Sequence, residues 1–332
     1  MCGLFELDAL NAARYLQSAR GLDPELVKIT TLGGGISNTV LLVDTPAAPF
    51  VLKQALGKLR VEQDWFSDRH RIFRECEALR RLAPHLEPGA VPDVLFEDRE
   101  NCLFAMSAAP PSAQNWKSLL LGRLLQAEIA ARVARMLAGM IRLGWRNPEF
   151  ESIFGDQTVF DQLRLDPYYR STASRHPDLR PHFDRLVEDC RGFRLTLVHG
   201  DWSPKNFLVD GSSAMAIDFE VIHYGDPAFD AAFLLNHLLL KSFHLPDVAA
   251  EFAALADVFW RTLLDGYPAE DAGFEERTIR HLGGLLLARI DGKSPAEYIR
   301  DSGARDQIRS FARRLILTPP PTVQEIFRRL ER

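Results

Sequence analysis

The stretch LTLVHGDWSPKNFLVDGSSAMAIDFE, residues 195–220, constrains this chain more than any other. LTLV, NFLV and AMAID read as strands, and Asp210-Gly211 between the last two is a hairpin signal, since tight hairpin turns need positive φ. Around these apolar runs stand His199, Asp201, Lys205, Asn206, Asp218 and Glu220. Charge beside a core is costly unless it is paired, hydrogen-bonded or bound to a metal. Asn206 begins one hairpin arm and Asp218 ends the other, so the turn brings an amide oxygen beside a carboxylate. Such a pair is a hard, oxygen-rich half-shell suited to Mg2+ carrying phosphates. Asp201, upstream on the connecting loop, is placed to accept a proton from a hydroxyl or to align it for attack. Structural roles stay open for each: Asn206 as a turn former, Asp218 as a strand-end cap, Asp201 in an Asx-turn, Lys205 as a solvated lysine.

Toward the N-terminus, a helix over about 7–20 precedes VKITTL, a glycine turn, TVLLVD, a second turn and FVLKQA, which punctuate as an antiparallel meander. Backbone N–H groups of the turn Gly33, Gly34, Gly35, Ile36, Ser37, Asn38 can approach an anion closely, although such a turn can also serve geometry alone. Lys53 shares a strand face with Val51 by period two. It is either an edge-strand lysine that blocks aggregation or an inward one that needs an anion. From 68 to 83, Ile72, Phe73, Cys76, Leu79 and Leu82 repeat with helical period, and that helix offers Glu75 and Glu77 as partners. VLFED and CLFAM add two strands, and SAAPPSAQN at 107–115 reads as a connector. Beyond it the chain is mainly helical, over 116–143, 178–192, 228–242, 247–264, 275–290 and 305–316.

A length of 332 residues with 46% hydrophobic and 26% charged residues suits two domains or one lobed domain. A formal net charge of -5 leaves no electrostatic footprint for nucleic acid. Cys2, Cys76, Cys102 and Cys190 are scattered without a CxxC pair and read as free thiols in a reducing compartment. The apolar patch AFLLNHLLL at 232–240 is far too short to cross a membrane, and MCGLFELDAL has no signal-peptide pattern. The expectation is a cytoplasmic protein without membrane or nucleic-acid partners.

HGDWSPKN fits the pattern HxDxxxxN, and IDFE stands where kinases carry Asp-Phe-Gly. With the glycine hairpin, the strand lysine and GDPAFD at 225–230, the chain resembles the aminoglycoside phosphotransferase and choline kinase family over roughly 28–240. The resemblance implies an α+β, protein-kinase-like two-lobed fold: a nucleotide-binding N-lobe at 1–106, a hinge at 107–115 and a larger, mainly helical C-lobe at 116–332. It implies Asp201 as the catalytic carboxylate, Asn206 and Asp218 as Mg2+ ligands, and Lys53 on the α/β-phosphates, paired with Glu75. Gly33, Gly34, Gly35, Ser37 and Asn38 would cover the phosphates, and the backbone around 105–109 would meet the base. His199 would support the catalytic loop, Asp230 would organise it from a helix start, and Lys205 would contact phosphate or substrate. Two departures stand out: the loop reads GGGISN rather than GxGxxG, and Asp-Phe-Glu offers no flexible glycine after Phe219.

The activity so implied is ATP- or GTP-dependent transfer of the γ-phosphate to a hydroxyl of a small molecule, an amino sugar, an amino alcohol or a similar metabolite. The alternative is a nucleotide-binding pseudokinase or scaffold. A protein kinase is disfavoured because no Ala-Pro-Glu segment follows Asp218. Two stretches bear on the acceptor. DGYPAEDAGFEE at 265–276 is an acidic substrate wall or a solvated loop. ARIDGKSPAEYI at 288–299 reads as a helix end followed by a Ser294-Pro295 helix start, with Arg289 or Asp291 able to face the cleft.

Overall fold

A computed structural model describes residues 5–33, 38–57 and 68–328. The β-rich N-terminal region begins with α1 (Ala12–Arg20), β1 (Lys28–Thr31), β2 (Asn38–Asp44) and β3 (Phe50–Ala55), followed by α2 (Arg71–Leu82), β4 (Val94–Asp98) and β5 (Leu103–Ser107). The five strands form one antiparallel sheet in the order β1-β2-β3-β5-β4, which makes β3 the central strand and not an edge. Side chains alternate between the faces of a strand. Phe50 and Leu52 therefore join Leu7, Ala12 and Leu16 in a small core under α1. Val51 and Ala55 face the other way, into the main core with Ile72, Cys76 and Leu79 of α2. Lys53 lies on that second face, buried.

The first helix starts later than its apolar pattern suggests. Asp8 and Asn11 close the preceding turn on each other's backbone, and Leu7 N–H donates to Gln54 Oε1 on the sheet.

The larger helical region opens with β6 (Gln114–Asn115), α3 (Trp116–Leu121), α4 (Ala127–Gly144), α5 (Pro148–Phe154) and α6 (Thr158–Phe160). The expected helix over 116–143 is thus two helices, broken at Gly122 and at Arg123, whose φ is 66°. α6 runs into a π-helical segment (Asp161–Arg170) and then α7 (Ser171–Arg175), a stretch for which no helix is expected from sequence. Pro167 lies inside it, and a proline in a helix normally reads as a break because it lacks the N–H donor. The wider π-turn accommodates the missing donor.

Next come α8 (Arg180–Gly192), β7 (Thr196–Val198), β8 (Phe207–Asp210), β9 (Ser213–Ala216) and β10 (His223–Gly225). The chain finishes with α9 (Ala228–His244), α10 (Ala249–Asp265), α11 (Phe274–Asp291), α12 (Ser302–Leu317) and α13 (Val323–Arg328). β8 and β9 pair around Asp210 and Gly211, with Phe207 opposite Ala216, and β6 adds a third strand beside β8. Among the described residues, no helix is long and apolar enough to cross a membrane. Cys76, Cys102 and Cys190 are buried free thiols, and Cys2 lies outside the described residues.

Candidate active site

The β8–β9 hairpin brings its two ends together as the turn requires. Ile217 N–H donates to Asn206 C=O at 3.0 Å, which sets Asp218 next to Asn206. Asp218 itself sits at φ 69°, a left-handed conformation that a non-glycine residue holds only where its surroundings over-determine it. Those surroundings are charged. Lys53 Nζ donates to Asp218 Oδ1 at 2.7 Å and to both carboxylate oxygens of Glu75 at 3.0 and 2.7 Å. Phe219 N–H also reaches Glu75 Oε1, at 3.3 Å. Glu77, the other acid offered by α2, points instead to Arg81.

Burial alone would depress the Lys53 ammonium; Asp218, Glu75 and Glu220 outweigh it and hold it charged, above its ordinary range. Burial pushes the Glu75 carboxyl up, to about 7, against the pull of Lys53. For Asp218 the balance goes the other way: Lys53 and Lys205 overcome burial and hold the carboxyl far below its usual range.

Asp201 is buried and carries two cations: Arg164 Nη2 and Lys205 Nζ each lie 2.9 Å from its Oδ2. Burial raises its carboxyl, and Lys205 with Arg164 more than offsets this, leaving it below the ordinary carboxylate range. Asn206 Nδ2 donates to Asp201 C=O at 2.9 Å, which fixes the amide and turns its oxygen the other way. Asn115, at the start of α3, donates to Lys205 C=O at 2.6 Å and caps α3 by accepting from Lys117 N–H.

The loop that carries Asp201 hangs from α9. Asp230 accepts from His199 N–H at 2.6 Å and from Gly200 N–H at 2.9 Å. Gly200 sits at φ 77°, and a Cβ there would lie 2.8 Å from Val221 Cγ1, so only glycine fits. Arg164 Nε donates to Gly200 C=O at 2.6 Å, so one guanidinium steadies both the loop backbone and Asp201. His199 Nδ1 accepts from Asp201 N–H at 3.1 Å, and its Nε2–H donates to Ile217 C=O at 3.2 Å. Both nitrogens of the neutral ring are thus used within the loop.

Burial lowers the His199 imidazole to about 4. Below pH 6.5 the unfolded chain therefore takes up a proton that the folded protein refuses until about pH 4. Stability present above pH 6.5 is lost as pH falls through that window, on the order of 3 kcal/mol from this residue alone. Glu75 and Asp230, both raised to about 7, shift stability the opposite way over the same window, so the share of His199 is read as a difference. In urea unfolding from pH 7.5 to 4, wild type is expected to fare worse than His199→Gln by about 3 kcal/mol, and an equal change in both proteins would refute the assignment.

Glu220, in the position of the missing glycine, accepts from Asn38 Nδ2 at 3.0 Å and from Arg71 Nε at 3.1 Å. A Cβ added at Gly33 would meet no described atom within 4 Å, and Gly34, Gly35 and Ser37 lie outside the described residues.

Sequence reasoning missed Arg164, Arg71 and Asn115. None belongs to a motif, although an arginine within a run of large apolar residues, as in LRLDPYY, is a weak pointer to a buried ion pair.

The acidic stretch 265–276 does not form a wall of this site. Asp271 pairs with Arg277, which also holds Asp226, Glu270 accepts from Trp145 Nε1, and Glu275 accepts from Val323 N–H. Asp291 is likewise spent, on His176 and Arg309.

Two hard oxygens, the free one on Asn206 and the second carboxylate oxygen on Asp218, fit a small divalent cation such as Mg2+. Among the described residues no group of three or more His, Cys, Asp or Glu side chains is arranged to hold a metal. An ion here would take its remaining ligands from phosphate and water, as Mg2+ commonly does.

The methylthioribose kinase of Escherichia coli O45:K1 (strain S88 / ExPEC) is 24% identical over 261 residues, 70% of this chain and 62% of that relative. Methylthioribose kinase 2 of Oryza sativa subsp. japonica is 26% identical over 279 residues, 73% of this chain and 64% of that relative. The chain thus spans somewhat under two thirds of the length of the curated relatives it matches. Amicoumacin kinase hAmiN, solved with AMP-PNP, Ca2+ and Ami, superposes with a TM-score of 0.57 at 16% identity, over 95% of this chain and 98% of that one. A choline/ethanolamine kinase family protein from Mesorhizobium loti gives 0.55 at 18% identity, over 97% of each chain. Aminoglycoside phosphotransferase APH(2'')-Ib with bound ADP gives 0.54 at 17% identity, over 97% of this chain and 99% of that one. At such identities these are likenesses of fold, here the protein-kinase-like two-lobed fold. Residues 28–272 match the phosphotransferase enzyme family (APH), nearly three quarters of the chain, and the protein belongs to that family.

Proposed function

We propose that the protein transfers the γ-phosphoryl group of ATP or GTP to a hydroxyl of a small molecule. The observation that carries this reading is the Lys53–Asp218 ion pair at 2.7 Å, which joins residues 165 apart in sequence into one charged site beside Asp201. In this reading residues 1–106 hold the nucleotide, 107–115 connect, and 116–332 supply the catalytic loop and substrate cleft. Lys53, set by Glu75, binds the α/β-phosphates. The turn Gly33, Gly34, Gly35, Ser37 and Asn38 covers them.

Asn206 and Asp218 would hold Mg2+, which when bound neutralises charge on the phosphates. The acceptor hydroxyl oxygen attacks the γ-phosphorus while the bond to the β–γ bridging oxygen breaks and the nucleoside diphosphate departs. Asp201 takes the hydroxyl proton. Its ion pairs with Arg164 and Lys205 make it a weak base, which suits phosphoryl transfer: a loose transition state asks for alignment more than for proton abstraction. Lys205, half-exposed and only one bond from Asp201, is free to turn toward the transferring group. His199 and Asp230 keep the loop in shape and touch no reacting atom.

The test is Mg2+-dependent consumption of ATP and of GTP against a panel of hydroxylated acceptors, methylthioribose included because the curated relatives carry that name. Acceptor-stimulated release of nucleoside diphosphate is expected. Nucleotide binding without turnover on any acceptor would point to the pseudokinase, and no nucleotide binding at all would overturn the reading.

A further inference from the structure

Near Asp201, one end of α9 and one end of α11 bring together two cations that make no ion pair among the described residues; Glu297, paired with Lys117, acts on both only from beyond contact distance. Lys241, on α9, is wholly buried, and its Nζ donates to the C=O of His237 in its own helix at 3.2 Å. Arg289, on α11, is 8% exposed. Its Nη1 is shared by Ser294 C=O, Ser294 Oγ at 2.9 Å and Tyr168 OH at 3.3 Å, while its Nε is buried without a partner. Among the described residues neither cation forms an ion pair.

Tyr298 packs against Lys241. Its ring centroid is 5.3 Å from Lys241 Nζ and 5.9 Å from Lys117 Nζ, and its hydroxyl is buried without a partner. Lys117 has its own carboxylate in Glu297. The cluster adjoins the catalytic loop: the Tyr168 ring has the guanidinium of Arg289 and that of Arg164, the group on Asp201, each 5.9 Å from its centroid. His237, one turn from Lys241, feels Lys205 as well as Lys241, Arg289 and Lys117; burial and these cations keep its ring neutral.

Burying an ammonium and a guanidinium together without an anion is strongly unfavourable, and a fold keeps such a pair where something supplies the missing charge. A guanidinium fork beside an ammonium matches the geometry of a carboxylate or a phosphate. It also repels a cationic ligand. Resting on the phosphotransferase reading, we propose that the acceptor is a hydroxylated anion whose carboxylate or phosphate group is held by Lys241 and Arg289 while its hydroxyl meets Asp201. Burial and then Lys117 and Arg289 push Lys241 down to about 7, with Glu297 pulling the other way, and a bound anion would favour its charged form. The amino sugars and amino alcohols that the family resemblance suggests carry the wrong charge for this end of the cleft.

The test has a binding arm and a turnover arm. Wild-type protein saturated with Mg2+ and AMP-PNP is titrated with inorganic phosphate and with gluconate by calorimetry, beside Lys241→Met, Arg289→Met and Asp201→Asn. Both anions are expected to bind wild type, to bind Asp201→Asn at least as tightly because Arg164 and Lys205 lose their carboxylate, and to bind each methionine variant at least about tenfold more weakly than wild type, with AMP-PNP affinity unchanged. Melting temperature checks folding, which Lys241→Met should preserve because an apolar chain replaces a buried charge. Turnover then compares gluconate and glucose 6-phosphate, which separate carboxylate from phosphate, with glucose, methylthioribose and glucosamine. No anion binding, binding that the methionine variants leave untouched, or turnover that favours glucosamine or a neutral sugar over every anion would overturn the proposal. Failure to bind AMP-PNP would instead strike at the phosphotransferase reading, and the two results are read separately.

Discussion

Asp201→Asn is expected to lower turnover by about 10³-fold while leaving nucleotide affinity within about twofold of wild type. The substitution keeps the shape of the side chain and removes its charge. What it deletes is the acceptor of the hydroxyl proton and the anion between Arg164 and Lys205, each 2.9 Å away. Neither loss touches Lys53 or Glu75, the residues proposed to hold the nucleotide. Because Arg164 is then buried without its counter-ion, the melting temperature should also fall, so turnover is measured well below the unfolding transition. Single-turnover rates and nucleotide titrations on the same preparation separate the two effects. An unchanged rate would remove Asp201 from the chemistry.

Asp218→Ala is expected to abolish the dependence of nucleotide binding on Mg2+. In wild type, Mg2+ should tighten ATP or GTP by about a hundredfold, since the ion neutralises phosphate charge and anchors it to two protein oxygens. In the variant one of those oxygens is gone, and titrations with and without EDTA should coincide. Lys53 retains Glu75, so the strand lysine stays ordered and the metal-free affinity persists. A variant whose affinity still rises with Mg2+ would place the ion elsewhere.

The site was legible in the sequence where its geometry is local. The hairpin around Asp210-Gly211 forces Asn206 and Asp218 together whatever the rest of the chain does, and the turn residues announce it. Lys53 and Glu75 were half-legible: strand period and helix period each point a charge inward, although only the packing of α2 on β3 shows that the two meet. Arg164 was invisible because its segment winds as a π-helix through Pro167, so no 3.6-residue pattern marks which face it takes. Lys241 went unnoticed for a different reason. It follows an apolar run and looks like the charged end of a buried helix, whereas α9 continues past it and keeps it buried. Glu75 and Asp230 owe their positions to tertiary contacts of 22 and 30 or more residues' separation, which no local rule anticipates.

Every residue of the short segment Asp218–Glu220 is attached to the β-rich region: Asp218 to Lys53, Phe219 N–H to Glu75, and Glu220 to Asn38 and Arg71. Two of these attachments, Lys53 with Asp218 and Arg71 with Glu220, are ion pairs, and Lys53, Glu75, Arg71 and Glu220 are all buried. A hinge opening along this seam would have to expose and separate several of these charges at once, so the angle between the two halves of the molecule is a stiff coordinate. The entropy of bringing the strand lysine to the hairpin aspartate is spent during folding, before any nucleotide arrives. Motion needed to admit and release ligands is thereby directed to parts of the cleft that this seam does not span.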